Sequence, residues 1–207
     1  MTGIPDPDAK LVEQAKTGDY SAFEQLVTRH ERHIYSLAIS ILRNREDAEE
    51  ASQKTFLSAL EHLSSFRGES AFGGWLSRIA ANNSLEILRK RKNQVELADA
   101  PDELADNGYP KPVFIADWTK DPSELAERAE TREILDRALD SIGDKYRAIF
   151  VLRDVEGIST DEAAKLLGIS VPNAKVRLLR ARLLLRENLT GIFGDPAARP
   201  AHDHHHD

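Results

Sequence analysis

The run Ser159 to Asn188, STDEAAKLLGISVPNAKVRLLRARLLLREN, leaves few folds open. It specifies two helices joined by a tight turn. Ser159 is a natural N-cap, and Glu162 three residues later can close a capping box. Ala163, Ala164, Leu166 and Leu167 give the first helix a packing side. Gly168 ends it, because only glycine enters the left-handed conformation cheaply. Ser170 can cap a second helix, and Pro172 is tolerated in the first turn, where its missing N–H would be unpaired anyway. Val171, Ala174, Leu178, Ala181 and Leu185 recur at steps of three and four, which makes one buried side. Asn173, Val176, Arg177 and Arg180 fall on the other. A short helix, a glycine turn and a longer helix with outward arginines is the helix-turn-helix pattern, whose second helix enters the DNA major groove. An ordinary helical hairpin with a solvated basic side fits the same stretch.

DNA binding sits awkwardly with a net charge of -7 over 207 residues, unless the charge is unevenly placed. It is. Residues 93–130 hold ten acids against three bases, so this segment alone carries the excess. With Pro101, Pro110, Pro112, Pro122 and Gly108 it reads as a linker that cannot build a core. Val113, Phe114, Ile115 and Trp118 make an apolar patch within it, able to dock on a domain or a partner. From Arg67 to Lys92 the balance reverses, with six bases against two acids. That basic stretch is a helix from Gly74 or Trp75 to about Lys92, with Trp75, Leu76, Ile79, Ala80, Leu85 and Leu88 on its apolar side. Its charge, Asn82, Asn83 and the neighbouring aromatics suit phosphate contacts and base stacking on single strands. The alternative is a solvated amphipathic helix with Trp75 in the core.

Three helices precede it. One covers residues 8–16, and Thr17-Gly18-Asp19 breaks it. A second, about 20–42, places Phe23, Leu26, Ile34, Leu37, Ala38 and Ile41 at helical spacing. A third, 47–63, takes Ala51, Phe56, Leu60 and Leu63 as anchors, with Asp47, Glu50, Gln53 and Lys54 outside. His30 and His33 share a side, but no third metal ligand is evident, so they read as packing or solvated histidines. After the linker, a helix to about Ser141 and one from Asp144, ended by Gly157, lead into the helix-turn-helix. The expected class is all-α: a four-helix domain at 8–92, an acidic flexible linker at 93–123, a helix-turn-helix domain at 124–190 and a disordered His-rich tail at 191–207. His202, His204, His205 and His206 with Asp203 and Asp207 could bind a metal loosely or do nothing.

Other classes are disfavoured. No apolar run approaches about 20 residues, so no membrane span is expected, and the start of the chain lacks the apolar core of a secretory signal. The chain has no cysteine, which excludes disulfides and thiolate metal sites and fits the cytoplasm. No nucleophile elbow, P-loop or HExxH motif suggests an enzyme. A conventional operator-binding regulator would use the helix-turn-helix alone and usually dimerise. It leaves the basic helix and the acidic linker unexplained.

Two blocks then fit together. RHIYSLAISILRNREDAEEASQKTFLSALEHLSSFRGESAFGGWLSRIAANNSLEILRKRK resembles region 2 of the sigma-70 family in its extracytoplasmic-function (ECF) group, most specifically in NREDAEEA and FRGES.F..WL.RIA.N. ALDSIGDKYRAIFVLRDVEGISTDEAAKLLGISVPNAKVRLLRARLLLREN resembles that group's region 4, in YR.IF.LRDVEG and the closing R-A-R. The resemblance spans nearly all of residues 8–190. It implies an RNA polymerase sigma factor that directs transcription initiation, without covalent chemistry, cofactor or metal. It implies that Asp47, Glu50, Gln53 and Phe56 grip the clamp helices of the polymerase β′ subunit, with the second domain reaching the β flap. Ala51-Ser52 and Lys54 depart there from the family's usual Leu-Val and Glu. The loop of Phe66, Arg67, Gly68, Glu69, Ser70 and Phe72 matches the one that receives a flipped base of the -10 element. Trp75, Arg78, Asn82 and Arg89 match the helix that opens and holds the single strand. Arg177 and Arg180, with Asn173, Lys175, Val176 and Leu179 nearby, match duplex -35 contacts. Val176 and Leu179 stand where polar residues are frequent. The acidic linker is similar to a segment that lies in the polymerase RNA channel. The resemblance also implies an anti-sigma factor as partner, a monomer when free and a cytoplasmic location.

Overall fold

In a computed structural model, residues 6–95 and 136–193 are described, and every regular element among them is helical. Four helices form the N-terminal bundle: α1 (Ala9–Lys16), α2 (Tyr20–Leu42), α3 (Arg45–His62) and α4 (Phe72–Val95), with a 3-10 turn at Leu63–Ser65. The C-terminal bundle has a helical stretch at 136–141, then α5 (Asp144–Phe150), α6 (Thr160–Leu167) and α7 (Val171–Phe193). The chain after α5 continues as a π-helical turn, Val151–Val155. α4 runs through Val95 and α7 through Phe193, three residues into the segments expected as linker and tail; the rest of both, the apolar patch included, lies outside the described residues.

Short polar residues fix the helix starts, each accepting from a backbone N–H of the first turn. Asp19 accepts from the N–H of Ala22 at 3.1 Å and Asn44 from that of Asp47 at 2.9 Å. Ser159 accepts from Glu162 at 3.2 Å and Ser170 from Asn173 at 3.3 Å. Gly168 closes α6 at φ 68°, as a left-handed cap requires. Arg43 closes α2 at φ 52°, a left-handed residue without glycine's freedom.

α2 is the central helix, packed by α1, α3 and α4. Leu26, Ile34, Ala38, Ile41 and Leu42 are fully buried along it. On α3 the buried residues are Ala48, Ala51, Thr55 and Ala59. Leu60, read from sequence as an anchor, is 40% exposed, Leu57 is 62% exposed and Phe56 is half-buried. α3 sits between α2 and α4, and small side chains let the helix backbones approach; the bulky ones are left outside.

The two bundles share one contiguous core. Ala148, Ile149, Val151 and Leu152 join the same buried cluster as the α2 and α4 residues. α5 lies on α2, and α6 lies on α4. Buried Arg147 donates from Nε to the Ile41 carbonyl of α2 at 3.2 Å and from Nη1 to the Ile142 carbonyl at 3.2 Å, and pairs with Asp144.

Candidate nucleic-acid interface

The loop between α3 and α4 walls a cavity of about 450 Å³, lined by Ser65, Phe66, Arg67, Glu69, Ser70, Trp75 and Arg78. Its floor is an aromatic cluster. Phe66 and Trp75 ring centroids are 5.2 Å apart, and Phe72 lies 5.7 Å from Phe66 and 5.6 Å from Trp75. These separations are those of rings in mutual contact. Arg67 and Glu69 stand at the rim with side chains 83% and 80% exposed, able to turn toward a ligand. Gly68, at φ 72°, turns the loop back on itself in a conformation glycine adopts cheaply. The cavity therefore offers one half-buried indole for stacking, two rim charges of opposite sign and the Ser65 and Ser70 hydroxyls. That set suits a planar heterocycle with mixed donors and acceptors.

Sequence reasoning named six of these seven residues and missed Ser65. It also placed Phe72 in the site, and there the structure differs. Phe72 is 1% exposed and supports the wall from behind. It is the first residue of α4, so its side chain turns into the bundle. Asn82 and Arg89 are exposed further along α4 and do not line the cavity.

Two of the basic α4 residues are engaged by α6. Arg78 Nε donates to Glu162, and Arg89 Nη2 to the carbonyl of Leu166. The second contact supplies a donor to one of the carbonyls that every helix C-terminus leaves unpaired. The first takes the carboxylate expected to complete the capping box with Ser159. Other contacts follow the same polarity. His33 Nε2 lies 3.2 Å from Glu156 and 3.0 Å from the Ser77 hydroxyl. Arg43 holds Asp136 at 3.1 Å and Asp140 through Nε and Nη2, the latter at 2.9 Å. In each of these pairs the cation belongs to the N-terminal bundle; Arg147, donating to the Ile41 carbonyl, runs the other way. Hydrogen bonding to Glu156 holds His33 above the ordinary histidine pKa, against the opposing effect of burial.

The four α3 residues assigned to one contact divide between two grooves. Gln53 and Phe56 line a trough of about 540 Å³ between α2 and α3, with Val27, Glu31, Arg32, Tyr35, Glu49 and Ser52. Asp47 and Glu50 line another, with Arg43, Asn44, Ile87, Lys90 and Arg91. Asp47 pairs with Arg91 at 3.3 Å and Glu50 with Lys54 at 2.6 Å. The sequence reading named no α2 residue for this contact, so the α2 side of the first trough is seen only in the structure.

On α7, Lys175 is exposed, Leu179 is 45% exposed, and Asn173, Val176 and Arg177 are half-buried. Asn173 accepts from Arg177 Nε at 2.9 Å, which orients that guanidinium. Arg180 departs from the outward arginine expected of the pattern, being 5% exposed. Periodicity sets the direction of a side chain from the helix axis; it does not say what else packs on that side. The histidines read as packing or solvated have protein partners: His30 lies 2.7 Å from Asp8, and His33 is placed as above. Among the described residues, no helix is long and apolar enough to cross a membrane.

The family model for sigma-70 region 2 matches residues 26–94, and that for sigma-70 region 4 matches residues 132–185. Among curated relatives, the ECF RNA polymerase sigma factor SigM of Mycobacterium tuberculosis is 35% identical over 86% of this chain and 82% of its own length. SigW of Bacillus subtilis, another ECF RNA polymerase sigma factor, is 31% identical over 88% of this chain and 97% of its own. Among solved structures, CnrH in complex with the cytosolic domain of CnrY aligns with a TM-score of 0.52 at 27% identity, over 89% of this chain and 97% of that one. The sigma factor RpoE, in complex with the anti-sigma factor NepR from Bartonella quintana, aligns at 0.54 and 25% identity, over 81% and 96%.

Proposed function

The chain belongs to the extracytoplasmic-function group of sigma-70 RNA polymerase sigma factors, which act in transcription initiation, and we propose that it reads its promoter with two separate surfaces. The cavity at the head of α4 takes a base flipped from the opened -10 strand. The outer side of α7, with Lys175, Arg177 and Asn173, reads the -35 element as duplex in the major groove. Arg78, Asn82 and Arg89 follow the strand along α4 through its phosphates.

One observation carries this reading: an aromatic-floored cavity with polar rim groups opens at the start of a strongly basic helix. Flipping a base costs a few kcal/mol. Stacking on an aromatic ring returns about 1–3 kcal/mol, and hydrogen bonds to Arg67, Glu69 and the serines add to it. The cost is then met only by a base that fits the rim, which is how an opened strand can be read. Phe72 acts from behind the wall, and Arg180 supports α7 from a withdrawn position.

Core RNA polymerase binds along α3. The Gln53–Phe56 trough and exposed Leu57 and Leu60 form an apolar contact for the β′ clamp helices, and Asp47 and Glu50 contribute from the separate groove they line. The C-terminal bundle reaches the β flap. The region 2 unit spans 8–92 and the region 4 unit 124–190. The acidic 93–123 segment imitates nucleic acid charge in the RNA channel. Capture by an anti-sigma factor parallels CnrH and RpoE, each solved in such a complex. The chain acts in the cytoplasm as a monomer when free, performs no covalent chemistry and needs no cofactor.

Run-off transcription with core polymerase over a genomic fragment library tests the reading and identifies the promoter. Lys175→Ala with Arg177→Ala should lower transcription from a -35-dependent promoter by about tenfold to a hundredfold, with core binding in a pull-down unchanged. Absence of any sigma-dependent transcript, or loss of core binding in that variant, refutes the assignment.

A further inference from the structure

Residues 6–16 lie behind the aromatic wall, touching it directly at two places and at a third through His30 of α2. Asp8 is 2% exposed although it carries a charge. Its Oδ1 accepts from Arg29, and its Oδ2 lies 2.7 Å from His30 Nε2. Its backbone N–H donates to Asp6 Oδ1 at 3.0 Å. The other oxygen of Asp6 accepts from the N–H of Phe72 at 2.7 Å. Asp6 thus caps α4 from a distant part of the chain. The His30 ring meets Phe72 edge-on at 5.6 Å. At the far end of α1, Lys16 Nζ sits 5.7 Å above the Phe66 ring.

The start of α4 needs such support. Gly73 and Gly74 occupy its first turn, and glycine weakens a helix relative to alanine. Gly73 has little alternative, since a Cβ there would lie 3.1 Å from His30 Cε1. The imidazole therefore fills the space that a side chain on α4 would take, and α4 obtains its cap from Asp6. A carboxylate is costly to bury where an apolar residue could pack as well. Here its oxygens fix His30, and through His30 the start of α4.

We infer that Asp6, Asp8 and His30 are positioning residues for base recognition: they set the register of Phe72 and, through it, of Phe66 and Trp75. The inference rests on the reading of this cavity as the -10 base site.

The test uses full-length chain bound to core polymerase and a single-stranded oligonucleotide of the -10 sequence with 2-aminopurine at the flipped position. Asp6→Ala and His30→Ala should each weaken oligonucleotide binding about tenfold and narrow the preference for the cognate base. Core affinity should stay within about twofold, because α3 is untouched. His30→Gln, which keeps an N–H toward Asp8, should recover part of the loss. Folded variants with wild-type affinity and base preference would overturn the inference. A variant that fails to fold leaves the decision to Lys16→Gln, where about threefold weaker binding is expected and none would count against it. If wild-type holoenzyme itself shows no base-dependent signal, the cavity assignment fails, and this inference with it.

Discussion

Glu162→Gln is the substitution with the sharpest consequence. In the closed arrangement Arg78 of α4 is committed to Glu162 of α6, with side chains 38% and 34% exposed. A pair this accessible to water is worth about 0.5–1 kcal/mol, well below what the same geometry would give in a dry interior. Removing the carboxylate charge should therefore shift the balance of closed and open bundles about twofold to fivefold toward open. Arg78 is released by the same change, so affinity of the free chain for a -10 oligonucleotide should rise by a similar factor. Opening can be read directly. The chain has no cysteine, and a dye pair on cysteines introduced at exposed Glu61 and Lys165 reports the separation of the bundles. A double-mutant cycle with Arg78→Gln, read by that dye pair, isolates the coupling. Additive effects on closure, together with unchanged oligonucleotide affinity in Glu162→Gln, would refute the reasoning.

Two further outcomes follow from the same contacts. Glu156 holds the folded-state pKa of His33 above its ordinary value, so their pairing contributes fully below about pH 6.5 and is lost as pH rises through the raised folded value. Dye separation should therefore increase as pH rises above about 6.5 in the native chain and lose that dependence in His33→Gln; equal profiles would exclude the pair. Ile149→Ala, at a fully buried position of the shared core, should cost about 2–5 kcal/mol in urea unfolding; a loss below about 1 kcal/mol would mean that the core around α5 repacks without it.

The helix-turn-helix was the most legible part of the chain because its signals are local. Ser159 and Ser170 act through hydroxyls that reach backbone only three residues on, and Gly168 through its own φ, so each does in the structure what its residue type requires. The α3 side was less legible. Of the four anchors expected, Ala51 and Leu63 are buried while bulky Phe56 and Leu60 stay half-buried or exposed; the other tight contacts fall to Ala48 and Ala59, whose small side chains carry little hydrophobic signal. In the candidate site, the cavity residues were found as one motif, but the direction of Phe72 depends on where α4 begins. The expected start at Gly74 or Trp75 left Phe72 in the loop. The cap that moves the start to Phe72 comes from Asp6, too far away in sequence for any local pattern to show. The contacts between bundles had no sequence signal either, since single arginines and acids are spread over the whole chain.

Those contacts constrain how the arginines of α4 can work. A guanidinium held by Glu162 or by the Leu166 carbonyl is withdrawn from a phosphate, so on the proposed reading the C-terminal bundle and the DNA strand would compete for Arg78 and Arg89. Salt weakens both competitors, because solvent-exposed ion pairs and phosphate contacts are screened alike. The part of closure that salt does not reach is the shared apolar core and Arg147, 4% exposed, with its bond to the Ile41 carbonyl of α2. On opening, water can solvate the freed guanidinium and carbonyls, so the net loss per hydrogen bond is only about 1 kcal/mol, far less than leaving them unpaired. Closure on these terms is held by modest contributions, and a partner that binds only the open form shifts it by its own differential affinity. Strand binding by the free chain should consequently fall less steeply with salt in the native protein than in Glu162→Gln, where one of the screened competitors is gone. Parallel salt slopes for the two would show that Arg78 is not shared between α6 and the strand.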